Sequence, residues 1–176
     1  MQRKFIVLTG KAQAECQSEE FDWKQPLKEK EAVIETRMSL ISAGTELSRV
    51  YAIKKGFSYP VYPGYSAIGT VLRVGEGLQD LKRGERVFYS GVHASVNKFV
   101  HEGTTQGGKI MKIDERLTDK QACLIPLGLI AMNAVTACNG KITDTAAVFG
   151  LGTIGILAAL MLKEAGLRVI ALDPVQ

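Results

Sequence analysis

Apolar positions in the first hundred residues come in short, strand-length blocks. Phe5-Ile6-Val7-Leu8, Ala32 to Met38, Ser66 to Val74 and Arg86 to Tyr89 each carry the β-branched and aromatic residues that suit a half-buried pleat. Turn residues separate them: Gly56, Pro60, Pro63-Gly64, Gly75-Glu76-Gly77 and Arg83-Gly84-Glu85. Short strands at this spacing predict a compact β-barrel or sandwich. Beyond Leu117 the period changes. Thr118 to Gln121 offers helix-starting residues, and Ala122 to Asn139 predicts one continuous helix closed at Asn139-Gly140, with the glycine supplying the left-handed end. Thr145 to Phe149 then reads as a strand, Gly150 to Gly155 opens a helix running to about Ala165-Gly166, and Arg168 to Asp173 reads as a second buried strand. The expected class is mixed: a β domain over residues 1–117, followed by a βαβ unit over residues 118–176.

Composition narrows the function classes. With 46% hydrophobic and 23% charged residues the chain has globular composition. Its formal charge of +4 is spread over Lys28, Lys30, Lys54, Lys55, Lys82 and Arg83 rather than gathered into a stripe, which argues against nucleic acid as a partner. The apolar run at the N-terminus is too short for a signal core, and the longest run, Ile154 to Leu162, is too short to cross a bilayer. A cytoplasmic protein with no membrane partner is expected. Cys16, Cys123 and Cys138 lie far apart with no C-x-x-C pair, so reduced, buried thiols are expected.

The strongest motif is Gly150-Leu151-Gly152-Thr153-Ile154-Gly155. Such a glycine pattern alone is weak, because packing alone can account for glycines. Here it follows a predicted strand, starts a helix, and has an acid, Asp173, 18 residues after its last glycine. Gly150 suits the tight turn, Gly152 lets the backbone approach a pyrophosphate, and Gly155 lets helix and strand pack closely. The free N–H groups and positive end of the helix favour phosphates. Asp173 is placed to accept hydrogen bonds from an adenosine ribose, and a carboxylate there repels a 2′-phosphate, which favours NAD over NADP. A solvated strand-end acid is the plainer alternative for Asp173. A dinucleotide site needs two such halves and only the beginning of one is present, so a longer parent is expected.

Ser42-Ala43-Gly44-Thr45-Glu46, Tyr59 to Gly75 and Leu81 to Val87 resemble the medium-chain dehydrogenase/reductase family. The resemblance covers nearly the whole chain and implies a GroES-like β-barrel domain followed by the start of a Rossmann domain. It implies an NAD(P)-dependent oxidoreductase acting on a small molecule, and subunits that pair through the second domain, so a homodimer is the candidate assembly. The departures are equally specific. Where zinc-dependent members place cysteine, histidine and cysteine, this chain has Ala43, Tyr65 and Leu127, and the four-cysteine lobe is missing because Ser90-Gly91-Val92-His93 runs straight on. These residues cannot replace thiolate and imidazole ligands, so no metal site and no zinc are expected.

Without a metal, a substrate oxygen must be polarised by hydrogen-bond donors or a general acid. The resemblance makes Thr45 the first candidate, against a turn hydroxyl. Glu46 falls where zinc members keep an acid near the metal, against a simple helix cap. Tyr65 takes the place of the histidine ligand, against a packing role. His93 carries an imidazole, the side-chain type that suits acid/base work, against a surface or packing histidine. His101 reads as exposed and Trp23 as packing. The leading expectation is hydride transfer between NAD(H) and a small alcohol or carbonyl without zinc. Zinc-free relatives similar to quinone and enoyl reductases usually prefer NADPH, and Asp173 speaks against that. The alternatives are a non-catalytic dinucleotide-binding module and an inactive truncated fragment.

Overall fold

The opening strand β1 (Gln2–Gly10) pairs antiparallel with β2 (Gln13–Glu20) through a tight turn in which Ala12 has φ +57°. The computed structural model describes residues 1–51, 58–101 and 108–175, so Lys54, Lys55 and the turn expected at Gly56 lie outside the described residues. Phe5, Val7 and Leu8 of β1 are buried, whereas every residue of β2 is exposed. A wholly exposed strand has no reason to alternate, which is why the sequence pattern did not reveal β2.

Five further strands form one antiparallel sheet: β3 (Glu31–Ser39), β4 (Ala67–Val74), β5 (Arg86–Tyr89), β6 (Val96–Val100) and β7 (Ile110–Lys112), in the order β6-β3-β4-β5-β7. Isolated bridges join Phe5 to Ala94 and Leu8 to Val61. The core combines Ala32, Ile34, Ala67, Val71, Leu81, Val87, Tyr89 and Phe99. Burying a side chain such as Ile34 or Val71 contributes about 1.5–3 kcal/mol.

One polar group sits inside that core. The Tyr89 hydroxyl lies 2.7 Å from Thr36 Oγ1 and accepts from Asn97 Nδ2 at 2.9 Å, and Asn97 Nδ2 also donates to the Val92 carbonyl at 3.2 Å. Burial pushes the Tyr89 phenol up from its usual range, so it stays neutral and hydrogen-bonding. These bonds fix the loop from Ser90 to Ser95.

Helix α1 (Ala43–Val50) lies between β3 and β4 in sequence. Helix α2 (Asp119–Cys123) is tied to the sheet: Asp119 accepts from Arg37 Nε at 2.8 Å and Arg86 Nη1 at 3.2 Å, and Ser66 Oγ donates to the Cys123 carbonyl at 2.8 Å. The chain accordingly divides into two units, Met1–Cys123 and Leu124–Gln176, with α2 in the first.

The second unit contains α3 (Ile125–Cys138), β8 (Thr145–Phe149), α4 (Thr153–Glu164) and β9 (Arg168–Leu172). The single helix expected from Ala122 is broken at Leu124. Pro126 sits in the first turn of α3, where its missing N–H costs nothing but where it cannot continue a preceding helix. The left-handed residue closing α3 is Asn139, at φ +49°, not Gly140; asparagine tolerates that conformation best after glycine. β8 and β9 pair in parallel, Thr145 opposite Arg168 through Phe149 opposite Leu172, with Ala146, Leu162 and Leu167 buried between helix and sheet. The expected mixture of a β domain and a βαβ unit is what the chain forms.

Two smaller expectations are corrected. Cys123 is buried, but Cys16 on exposed β2 and Cys138 at the end of α3 are both exposed. His101 is half-buried, its Nδ1 lying 3.2 Å from the Gly108 carbonyl oxygen. Among the described residues no helix is long and apolar enough to cross a membrane.

Candidate functional site

Candidate residues of the first unit gather where α1 meets the loop after β5. The chain leaves β3 extended, with Ser42 at φ −97° and ψ 100°, and turns into α1 at Ala43. The Ser42 hydroxyl makes no capping bond; instead the Glu46 carboxylate reaches back and accepts the Ser42 backbone N–H at Oε1, 3.0 Å away. The same oxygen lies 3.0 Å from His93 Nε2. The pair is buried, with side-chain exposures of 10% for Glu46 and 8% for His93.

The other ring nitrogen, His93 Nδ1, lies 2.8 Å from Ser39 Oγ at the end of β3. An ionised carboxylate only accepts, so Nε2 carries the hydrogen when Glu46 is charged, and Nδ1 of the neutral ring then accepts from the Ser39 hydroxyl. Ser39 was not among the residues expected from sequence. A serine ending a strand has no pattern of its own, and its partner His93 is 54 residues away.

Backbone contacts hold His93 from two sides. Its carbonyl accepts from the Ile6 N–H at 2.9 Å and its N–H donates to the Pro63 carbonyl at 2.9 Å. The second contact needs Gly64, which has φ +108° and whose added Cβ would lie 2.7 Å from His93 N. Gly64 thus lets the segment carrying Tyr65 run against the His93 loop. Tyr65 is half-buried. Thr45 is half-buried in the first turn of α1, its Oγ1 a long 3.5 Å from Ser42 Oγ. Glu46 and His93 are therefore in contact, Tyr65 is adjacent through the backbone, and Thr45 is next to Glu46 on the helix.

A zinc ion does not fit the residues at the expected ligand positions. Ala43 is exposed, Leu127 is buried, and Tyr65 offers a phenol, so the set contains no thiolate or imidazole. Among the described residues no three His, Cys, Asp or Glu side chains come together.

The second unit carries the glycine loop between β8 and α4. Gly150 has φ +91° and its N–H continues the sheet by donating to the Leu172 carbonyl at 2.8 Å. A Cβ on Gly152 would meet nothing within 4 Å, whereas one on Gly155 would collide with the Gly150 carbonyl. The space over Gly152 and the tight turn beneath it are what close approach of a pyrophosphate requires. Gly152 is the extended N-cap of α4 and no side chain caps that end, so the first N–H groups, at Thr153, Ile154 and Gly155, have no side-chain acceptor. Asp173 Oδ2 accepts the Leu151 N–H at 2.6 Å and Oδ1 accepts the Val175 N–H at 2.9 Å. These bonds, Leu151 first, hold the Asp173 carboxyl below the usual range. Each oxygen keeps a further lone pair for a ribose hydroxyl, so the loop fits a dinucleotide.

An antiparallel β unit followed by a parallel strand–glycine loop–helix–strand, with an acid ending the second strand, defines a dinucleotide-binding class of two-part proteins. The chain belongs to the alcohol dehydrogenase GroES-like domain family, which matches residues 28–165, and so to the medium-chain dehydrogenase/reductases. It is 30% identical over 128 residues to (R,R)-butanediol dehydrogenase of Bacillus subtilis (strain 168), covering 61% of this chain and 37% of that protein. It is 33% identical over 140 residues to (R,R)-butanediol dehydrogenase of Neisseria gonorrhoeae (strain ATCC 700825 / FA 1090), covering 65% and 40%. Among solved structures, alcohol dehydrogenase TADH from Thermus sp. ATN1 shares the fold with a TM-score of 0.81 at 17% identity, over 98% of this chain and 58% of that one. The chain thus spans well under half the length of those two curated relatives.

Proposed function

We propose that the protein transfers hydride between NAD(H) and a small alcohol or carbonyl substrate without a catalytic zinc. The observation that carries this reading is the β8–α4 loop, with open space over Gly152, uncapped N–H groups at Thr153, Ile154 and Gly155, and Asp173 bonded to Leu151 at its edge. The bound nicotinamide supplies or accepts the hydride. In this reading the α4 N-terminus and loop N–H groups neutralise the pyrophosphate, and Asp173 accepts the adenosine ribose hydroxyls and repels a 2′-phosphate.

The substrate oxygen is handled by the first unit. Thr45 and Tyr65 hydroxyls stand in for a Lewis acid by donating to that oxygen, and the buried Glu46–His93 pair holds and delivers the proton. Three unpaired cysteines suit a reducing compartment, so the cytoplasm is the proposed location.

Turnover of the full-length protein, followed at 340 nm against a panel of alcohols and carbonyls, tests the reading. Glu46→Gln and His93→Gln are expected to lower kcat by roughly 10²–10⁴-fold with NADH affinity unchanged. A chelator is expected to leave activity intact. Activity lost to the chelator and restored by zinc contradicts the proposal.

A further inference from the structure

His93 touches Glu46 on one side and Ser39 on the other, and the two ends differ in access to water. Glu46 is buried, whereas Ser39 is only half-buried and, with His93, lines an open hollow of about 350 Å³ bordered by Lys4, Cys16, Thr36 and Arg37. Glu46 Oε1 holds both of that carboxylate's hydrogen bonds, leaving Oε2 without a partner among the described residues. A ring with a buried carboxylate at one nitrogen and a hydroxyl at a solvent hollow at the other has the form of a proton conductor.

We propose that Ser39, His93 and Glu46 form a proton relay, with Ser39 as its outlet to water; this rests on the reading of Glu46 and His93 as the proton-handling pair. A carbonyl that has gained a hydride needs one proton on its oxygen. Glu46 delivers it, His93 Nε2 refills Glu46, the Ser39 hydroxyl refills Nδ1, and a water in the hollow refills Ser39. The new C–H bond takes the hydride's electron pair, the carbonyl π pair becomes the new O–H bond, and solvent loses one proton. Oxidation of an alcohol runs the same path backwards and delivers the proton to water. Tautomer exchange through the imidazolium resets the ring.

The other charged or titratable groups around the hollow are Lys4 on β1, Cys16 on β2 and Arg37 on β3, and Arg37 is already paired with Asp119. None of them is hydrogen-bonded to His93, whose Nδ1 partner at the hollow is Ser39.

The test is Ser39→Ala beside Ser39→Thr in the full-length protein, with kcat, KM and NADH affinity measured across buffer concentrations. Ser39→Ala is expected to lower kcat at least tenfold, to leave KM and NADH affinity within twofold, and to regain activity as imidazole buffer is added. Ser39→Thr, which keeps a hydroxyl, is expected to retain kcat. The ring ¹⁵N–¹H signals of His93, assigned by their loss in His93→Gln, report whether the bond to Glu46 survives in each variant. Ser39→Ala with unchanged kcat, or with a loss that buffer does not rescue, overturns the relay while leaving Glu46 and His93 in place. His93→Gln turning over like wild type overturns the pair itself and the relay with it.

Discussion

Asp173 makes the most specific chemical commitment of any single residue. It holds the Leu151 and Val175 N–H groups, and those donors keep its carboxyl ionised to lower pH than an ordinary aspartate. The sign follows directly: a depressed folded-state value means that its contribution is complete above the ordinary carboxylate range and is lost only as pH falls through the depressed value. NADH affinity should therefore be flat from neutrality down to about pH 4, the usual aspartate range. Asp173→Ser removes a charged hydrogen-bond acceptor and is expected to weaken the NADH complex about tenfold, with NADPH gaining relative to NADH. Fluorescence titration with both cofactors checks this, and an unchanged preference would assign Asp173 to loop structure alone. The glycines and Asp173 were legible in the sequence because they lie within one local unit of fixed spacing. Glu46 and His93 were legible as separate candidates. Their contact was not, since it depends on how α1 and the loop after β5 meet across 47 residues.

At the level of elements, position depends on backbone that only some residues allow. Gly64 brings the Pro63–Ser66 segment against the His93 loop, with φ +108° and no room for a Cβ. Gly64→Ala imposes backbone strain of about 1–3 kcal/mol, before any displacement of His93. At roughly 2–8 °C per kcal/mol, calorimetry should show a clearly lowered Tm. A Tm within a degree of wild type would show that the loop can shift without cost. Strands β3 and β4 were predictable because each carries an apolar run that the fold buries, including Ala32, Val33 and Ile34 in β3 and Ala67, Ile68 and Val71 in β4. β2 was not, because it is exposed along its length and pairs with β1. The helix read as continuous is two helices because Pro126 favours a new first turn over the continuation of an old one. Residues with strong backbone preferences decided these boundaries more than apolar periodicity did.

Across the whole chain, two units each have their own core. In the reading proposed above, the first supplies hydroxyls and a buried acid–imidazole pair, and the second a phosphate-binding loop and a ribose acceptor. Family membership accounts for both units. The replacements Ala43, Tyr65 and Leu127 set this chain apart from the family's zinc-dependent members, and they were readable from sequence because ligand chemistry is a property of residue type. What sequence could not supply was the cluster of Ser39, Glu46 and His93, since these residues come together only in the fold. The most direct test of the account is titration of the full-length protein with NADH, followed by fluorescence, with metal content measured on the same sample. The account predicts saturable NADH binding, tighter than NADPH, with zinc far below one ion per chain. Stoichiometric zinc, or no binding of either nucleotide, would contradict it.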